Sequence, residues 1–127
     1  MKVFKTKSFA RWAIGEGLGD EALAAAAAEM NRGLVDAHLG GAVVKKRVAL
    51  PGRGKSGGTR TVVAFRRHEK AFFIYGFAKK ERANINDKEL KAMKFLAKEL
   101  LDYSRVSLAK ATNAGELIEI EVNDNGN

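Results

Sequence analysis

Three stretches decide the fold: Val43-Val44-Lys45-Lys46-Arg47-Val48-Ala49-Leu50, Thr59–Arg67, and Ala71-Phe72-Phe73-Ile74-Tyr75-Gly76-Phe77. In the first, Val44, Lys46, Val48 and Leu50 alternate with Val43, Lys45, Arg47 and Ala49. Such a period of two predicts a strand, and Pro51-Gly52 stops it. The second is rich in Thr, Val and Phe and predicts another strand. The third is almost wholly apolar and predicts a buried one. A glycine-rich loop, residues 52–58, separates the first two, and His68-Glu69-Lys70 reads as a hairpin turn. Strands joined by such short connections pair antiparallel.

Helical patterns flank this block. Upstream, Phe9, Trp12 and Ala13 share one helical face. After the Gly15–Gly19 break, Asp20 is placed as an N-cap. Leu23, Ala26, Ala27, Met30 and Leu34 then follow helical spacing, with Gly33 at the exit. Downstream, Asn86 with Glu89 three residues on reads as a capping box. Leu90, Met93, Leu96, Ala97, Leu100 and Leu101 form one apolar stripe. Ser104 is placed as the cap of a further short helix ending near Gly115. The stretch 116–122 alternates and predicts a final acidic strand, which either covers a sheet edge or pairs with another chain, the first fitting better. The expected class is α/β (α+β), with helices packed on a twisted, mainly antiparallel sheet in one domain, residues 1–127.

The charge of the 127-residue chain is uneven. The net charge is +8, yet residues 45–82 hold twelve Lys and Arg against Glu69 and Glu81. That segment therefore carries +10 and the rest of the chain −2. Cations concentrated in this way predict a polyanionic partner. There is no cysteine, which excludes disulfides and thiolate metal sites and suits a reducing compartment. No apolar run reaches the roughly 20 residues of a membrane span. The expected location is the cytoplasm, with no membrane partner.

Several chemistries fail on residue type or spacing. Gly54-Lys55-Ser56 imitates the end of a phosphate-binding loop, but the first glycine of that motif would fall on Ala49, and a strand follows where a helix is required. His38 and His68 lie apart, one in a loop and one in a turn, without a ligand set beside either, so no metal and no cofactor are expected. What remains is Lys, Arg and aromatic side chains. RNA carries its own nucleophile, the 2′-OH beside each phosphate. An enzyme need only position the strand, move protons and stabilise the charge on phosphorus. Arginine stabilises that charge but hardly serves as a base. A lysine crowded by other cations gives up its proton more readily. Lys79 and Lys80, after the third strand, are the natural candidates, with Glu81 as a counterion or acceptor. Phe77 or Tyr75 could stack a base, although Tyr75 and Phe72 fit the core better. Lys45, Lys46, Arg47, Arg53, Arg66 and Lys80 are candidate phosphate contacts.

The motifs together resemble a known family. Gly40-Gly41, residues 44–49, residues 54–60 (GKSGGTR) and residues 73–85 (FIYGFAKKERANI) are similar to RelE-type toxins of the RelE/ParE superfamily, in the HigB-like branch, as is the tail 114–119 (AGELIE). The resemblance implies the toxin of a type II toxin-antitoxin system, with an antitoxin partner often of helix-turn-helix type. It implies metal-free cleavage of mRNA on the ribosome. By position, Lys55 and Arg60 match the loop and strand cations of such sites, and Lys79 and Arg82 match the basic motif after the third strand. These four are the candidate catalytic residues. Arg60 and Arg82 suit charge stabilisation, and Lys55 or Lys79 suits proton transfer. Some relatives use a C-terminal Tyr or His near the scissile phosphate, a place for which Tyr103 is the local candidate. Two rivals remain: a ParE-like inhibitor of DNA gyrase, and a non-enzymatic basic RNA-binding module with salt-sensitive affinity.

Overall fold

The computed structural model describes residues 1–50 and 54–122, with residues 54–57 as backbone alone. Along the chain run β1 (Lys2–Thr6), α1 (Lys7–Glu16), α2 (Asp20–Asn31), β2 (Ala37–Gly40), β3 (Val43–Leu50), β4 (Gly54–Arg66), β5 (Lys70–Ala78), α3 (Asp87–Leu101), α4 (Arg105–Asn113) and β6 (Leu117–Ile120). The strands form one sheet in the order β2-β3-β4-β5-β1-β6. Every pair is antiparallel except β1 with β5. The helices lie on both faces, and each face has its own core, so the α+β expectation holds.

The local signals explain most boundaries. Thr6 caps α1, its hydroxyl accepting from Phe9 N at 3.2 Å, and Gly17 ends that helix at φ 73°. Asn86 and Glu89 form the expected capping box on α3. Ser104 caps α4. The hairpin turn after β4 places His68 at φ 67°.

Four details differ from the sequence reading. Gly19, not Asp20, is the N-cap of α2, with Asp20 as its first residue. Leu34 lies beyond α2 and is exposed. His38 sits in the short strand β2, which the ladder to β3 holds in place. The glycine stretch from Gly54 to Gly58 belongs to β4, with Gly54 opposite Leu50. The ladder to β3 supplies the partner that keeps those glycines extended.

The largest omission is β1. Its five residues include Lys2, Lys5 and Thr6 and merge directly into a helix, so no local punctuation marks them. Its place is set from outside, between β5 and β6. Phe4 stacks on Phe72 with ring centroids 5.1 Å apart.

On one face α1 and α2 cover Val3, Val44, Val48, Val63 and Phe73. On the other, α3 and α4 cover Phe4, Val43, Val62, Ala64, Phe72 and Ile74. Strand alternation assigns each residue to a face, with one interruption. Val62 pairs with Tyr75 and Val63 with Phe73, which leaves Ile74 as an extra residue in β5. Such a bulge reverses the alternation beyond it. Ile74 and Tyr75 therefore share the α3/α4 face, Gly76 turns toward α1, and Phe77 returns to the α3/α4 face. Gly76 must lack a side chain, because a Cβ there would fall within the ring of Trp12.

Candidate nucleic-acid interface

Beyond the N-terminus of α3, the sheet carries cations and aromatics instead of a helix. Two rows cross it. Arg47 of β3 lies opposite Arg60 of β4, which lies opposite Phe77 of β5. The next row is Lys45, Val62 and Tyr75. Residues directly opposite in an antiparallel pair share a face, and successive rows are about 7 Å apart. The segment after β5 closes one side. Arg82 stands over the Phe77 ring, its Cζ 5.8 Å from the centroid.

The partners of these cations differ. Arg82 donates to both carboxylate oxygens of Glu89, at 2.6 and 2.9 Å, and to the Tyr75 hydroxyl at 3.1 Å. This guanidinium is the main reason the Glu89 carboxyl is held down at about 2. Arg47 donates from Nε to Asp36 Oδ1 at 2.8 Å and from its amide to Oδ2 at 2.6 Å. Burial pushes the Asp36 carboxyl up, but these bonds and the guanidinium charge more than offset that and hold it below its ordinary range. Lys45 reaches Asn84 Oδ1 at 3.5 Å. Arg60 has a different environment. Its Nη1 is buried and has no hydrogen-bond partner among the described residues. A buried guanidinium N–H without an acceptor is costly. It would be satisfied by an anion arriving at the face.

Lys45, Arg47, Arg60 and Arg82 thus come together. Lys79 and Lys80 lie exposed in the turn after β5, at the same end of the sheet as Thr59 and Arg60. Lys55 falls in the first turnless residues of β4, but its side chain lies outside the described part, as does the whole of Arg53. Lys46 points the other way. It is 4% exposed under α2, 2.7 Å from Glu29 and 2.9 Å from Leu34 O. Arg66 is at the opposite end of β4, where it donates to Leu101 O at 3.2 Å. Tyr103 follows the C-terminus of α3 and packs against the core there, about 20 Å along the helix from the Arg82–Glu89 pair.

Sequence reasoning missed Glu89, Asp36 and Asn84 as members of this face. Glu89 was legible only as a helix cap, and nothing local links Asp36 to Arg47. Among the described residues no group of three His, Cys, Asp or Glu is placed to hold a metal ion. No helix among them is long and apolar enough to cross a membrane.

A six-stranded sheet between two pairs of helices, with cations gathered at one end of the α3/α4 face, defines a small basic α+β protein. The family model described as the RelE toxin of the RelE / RelB toxin-antitoxin system matches residues 1–120, and the chain belongs to that family. It is accordingly a toxin-antitoxin toxin with the RelE-like fold and a cognate antitoxin as partner. A search of curated proteins finds no match.

Proposed function

We propose that this RelE-family toxin is a metal-independent, ribosome-dependent mRNA endoribonuclease of the HigB-like branch, which stops translation in the cytoplasm. The observation that carries this reading is Arg60: a buried guanidinium N–H with no hydrogen-bond partner among the described residues, flanked in its row by Arg47 and Phe77. A scissile phosphate supplies the missing acceptor. Arginine binds its oxygens through two parallel N–H bonds.

In the reaction, the 2′-oxygen attacks phosphorus, the P–O5′ bond breaks, and a 2′,3′-cyclic phosphate and a 5′-hydroxyl result. The 2′-OH proton goes to a base, and the leaving oxygen takes one from an acid. Arg60 stabilises the charge on the five-coordinate phosphorus. Arg82 is fixed by Glu89 and Tyr75, so it offers a preset charge rather than a free fork. Lys55 or Lys79 carries the proton. Phe77 is nearly covered, which leaves Tyr75, half-buried and held by Arg82, as the aromatic nearer to a base. Lys45 and Arg47 take neighbouring phosphates. The antitoxin in this reading is of helix-turn-helix type.

The test is induced expression in a bacterium, with primer extension on a translated message in the first minutes. Cuts at codon boundaries that vanish when Arg60→Ala and Lys79→Ala are combined, with folding intact by circular dichroism, are the expected result. Growth arrest with intact message would transfer the assignment to a gyrase inhibitor. Normal growth, with salt-dependent RNA binding, would leave a non-enzymatic module.

A further inference from the structure

A second cationic surface lies on α3, outside the segment that dominates the charge count. Met93, Ala97, Leu100 and Leu101 turn to the core, yet Phe95 on the same helix is 71% exposed. Lys91, Lys94 and Lys98 flank it at spacings of three and four, so they stand along one side of the helix. Between α3 and the β2–β3 turn is a groove of about 430 Å³, lined by Gly41, Ala42, Arg66, Lys94, Phe95 and Lys98 among others. The Lys94 stem lies over Gly40 and Gly41, whose positive φ values, 88° and 60°, bring the turn beneath it. Asp102 offsets part of the charge, 3.5 Å from Lys98 and 3.8 Å from Arg66. The cations still outnumber it.

We propose that this groove and the adjoining flank of α3 form a second RNA-contact surface, with a base stacked on Phe95 and phosphates on Lys91, Lys94 and Lys98. The inference rests on the RNA reading of the sheet face, because α3 joins the two places: Glu89 in its first turn holds Arg82, and Lys94, Phe95 and Lys98 further along line the groove. Val43, between Lys45 and the groove, is buried under α3, so the link runs along the helix, where Phe95 is about 9 Å along the axis from Glu89. A few nucleotides on one side of the scissile phosphate span that distance. Cations in a line around an exposed ring match a backbone of repeated charge with stacking bases. A folded acidic partner needs no such regular spacing.

The test uses 2′-O-methyl oligoribonucleotides, which lack the attacking hydroxyl and report binding alone. A tetranucleotide fills the sheet face, and a dodecanucleotide reaches the groove. The combined variant Lys91→Ala, Phe95→Ala, Lys98→Ala should bind the tetranucleotide as the parent does. Its affinity for the dodecanucleotide should fall roughly ten-fold or more. The slope of log affinity against log salt should shrink by about 1.4, for two lost phosphate contacts on a single strand. Equal dodecanucleotide affinity in variant and parent overturns the proposal. If the variant instead loses only the antitoxin, the surface belongs to an acidic protein. Arg60→Ala reads the sheet face separately. If it leaves tetranucleotide binding unchanged while the triple variant still weakens the longer RNA, the sheet-face reading fails and the groove stands. A parent protein that binds neither RNA overturns both.

Discussion

Lys45, Lys46 and Arg47 are consecutive, equally basic, and have opposite fates. Lys46 is buried beneath α2 against Glu29, whereas Lys45 and Arg47 stand on the open face beside Arg60. The difference lies in the pleat of β3, which sends alternate residues to opposite sides of the sheet. One side is closed by α2 along the length of the strand, and the other is left uncovered beyond the N-terminus of α3. Charge counting along a sequence treats the three as one patch. The fold makes one a structural ion pair and places two beside Arg60 on the opposite face.

Four experiments bear on that contrast. The largest effect should come from the buried pair. Glu29→Ala leaves the buried Lys46 ammonium without its counter-charge, held only by Leu34 O among the described residues, and should destabilise the protein by about 3–5 kcal/mol in urea unfolding. Lys46→Met, which removes the charge as well, should cost far less. If Lys46→Met keeps its stability but loses RNA affinity, the division between the faces is wrong. Arg60→Ala should lower the cleavage rate by about 100-fold or more, as loss of one charge-stabilising donor does, with little change in melting temperature. A larger stability loss than that of Glu29→Ala would make Arg60 structural. Gly76→Ala tests the reversal of faces in β5. It forces α1 away from the sheet at Trp12 and should cost about 1–3 kcal/mol, read as a shift in the unfolding midpoint.

The smallest effect is one of pH. Glu89 is held at about 2, against an ordinary 4.5, by Arg82 first and the Asn86 amide second. A carboxyl depressed in the folded state adds stability that is present above pH 4.5 and is lost as the pH falls through about 2. Glu89→Gln should therefore be less stable than the parent at neutral pH and converge with it near pH 2. Parallel acid-unfolding curves for the two proteins would show that Arg82 does not depend on Glu89.

The RelE-like fold was largely legible in the sequence because its signals are local. Alternation marks β3, β4 and β5, the Asn86–Glu89 box starts α3, and Ser104 starts α4. Where a neighbour rather than the chain itself sets the conformation, the reading failed. Strand β1 exists because β5 and β6 offer it two ladders, and Gly54–Gly58 is strand because β3 pairs with it. The site was legible in part. Lys45, Arg47, Arg60 and Arg82 meet as the basic cluster predicts, while Lys46 and Arg66 do not join them.

The amino-acid sequence by itself determined that the protein is basic, cysteine-free and built on hairpin strands between helices, since composition and periodicity are properties of the chain. Only the tertiary structure decided which cations are gathered on one face and which are buried. A single extra residue at Ile74 reverses the pleat and turns Tyr75 and Phe77 toward Arg60. The stop of α3 short of that row leaves the face open. Both depend on pairing and packing between distant segments, which no local pattern records.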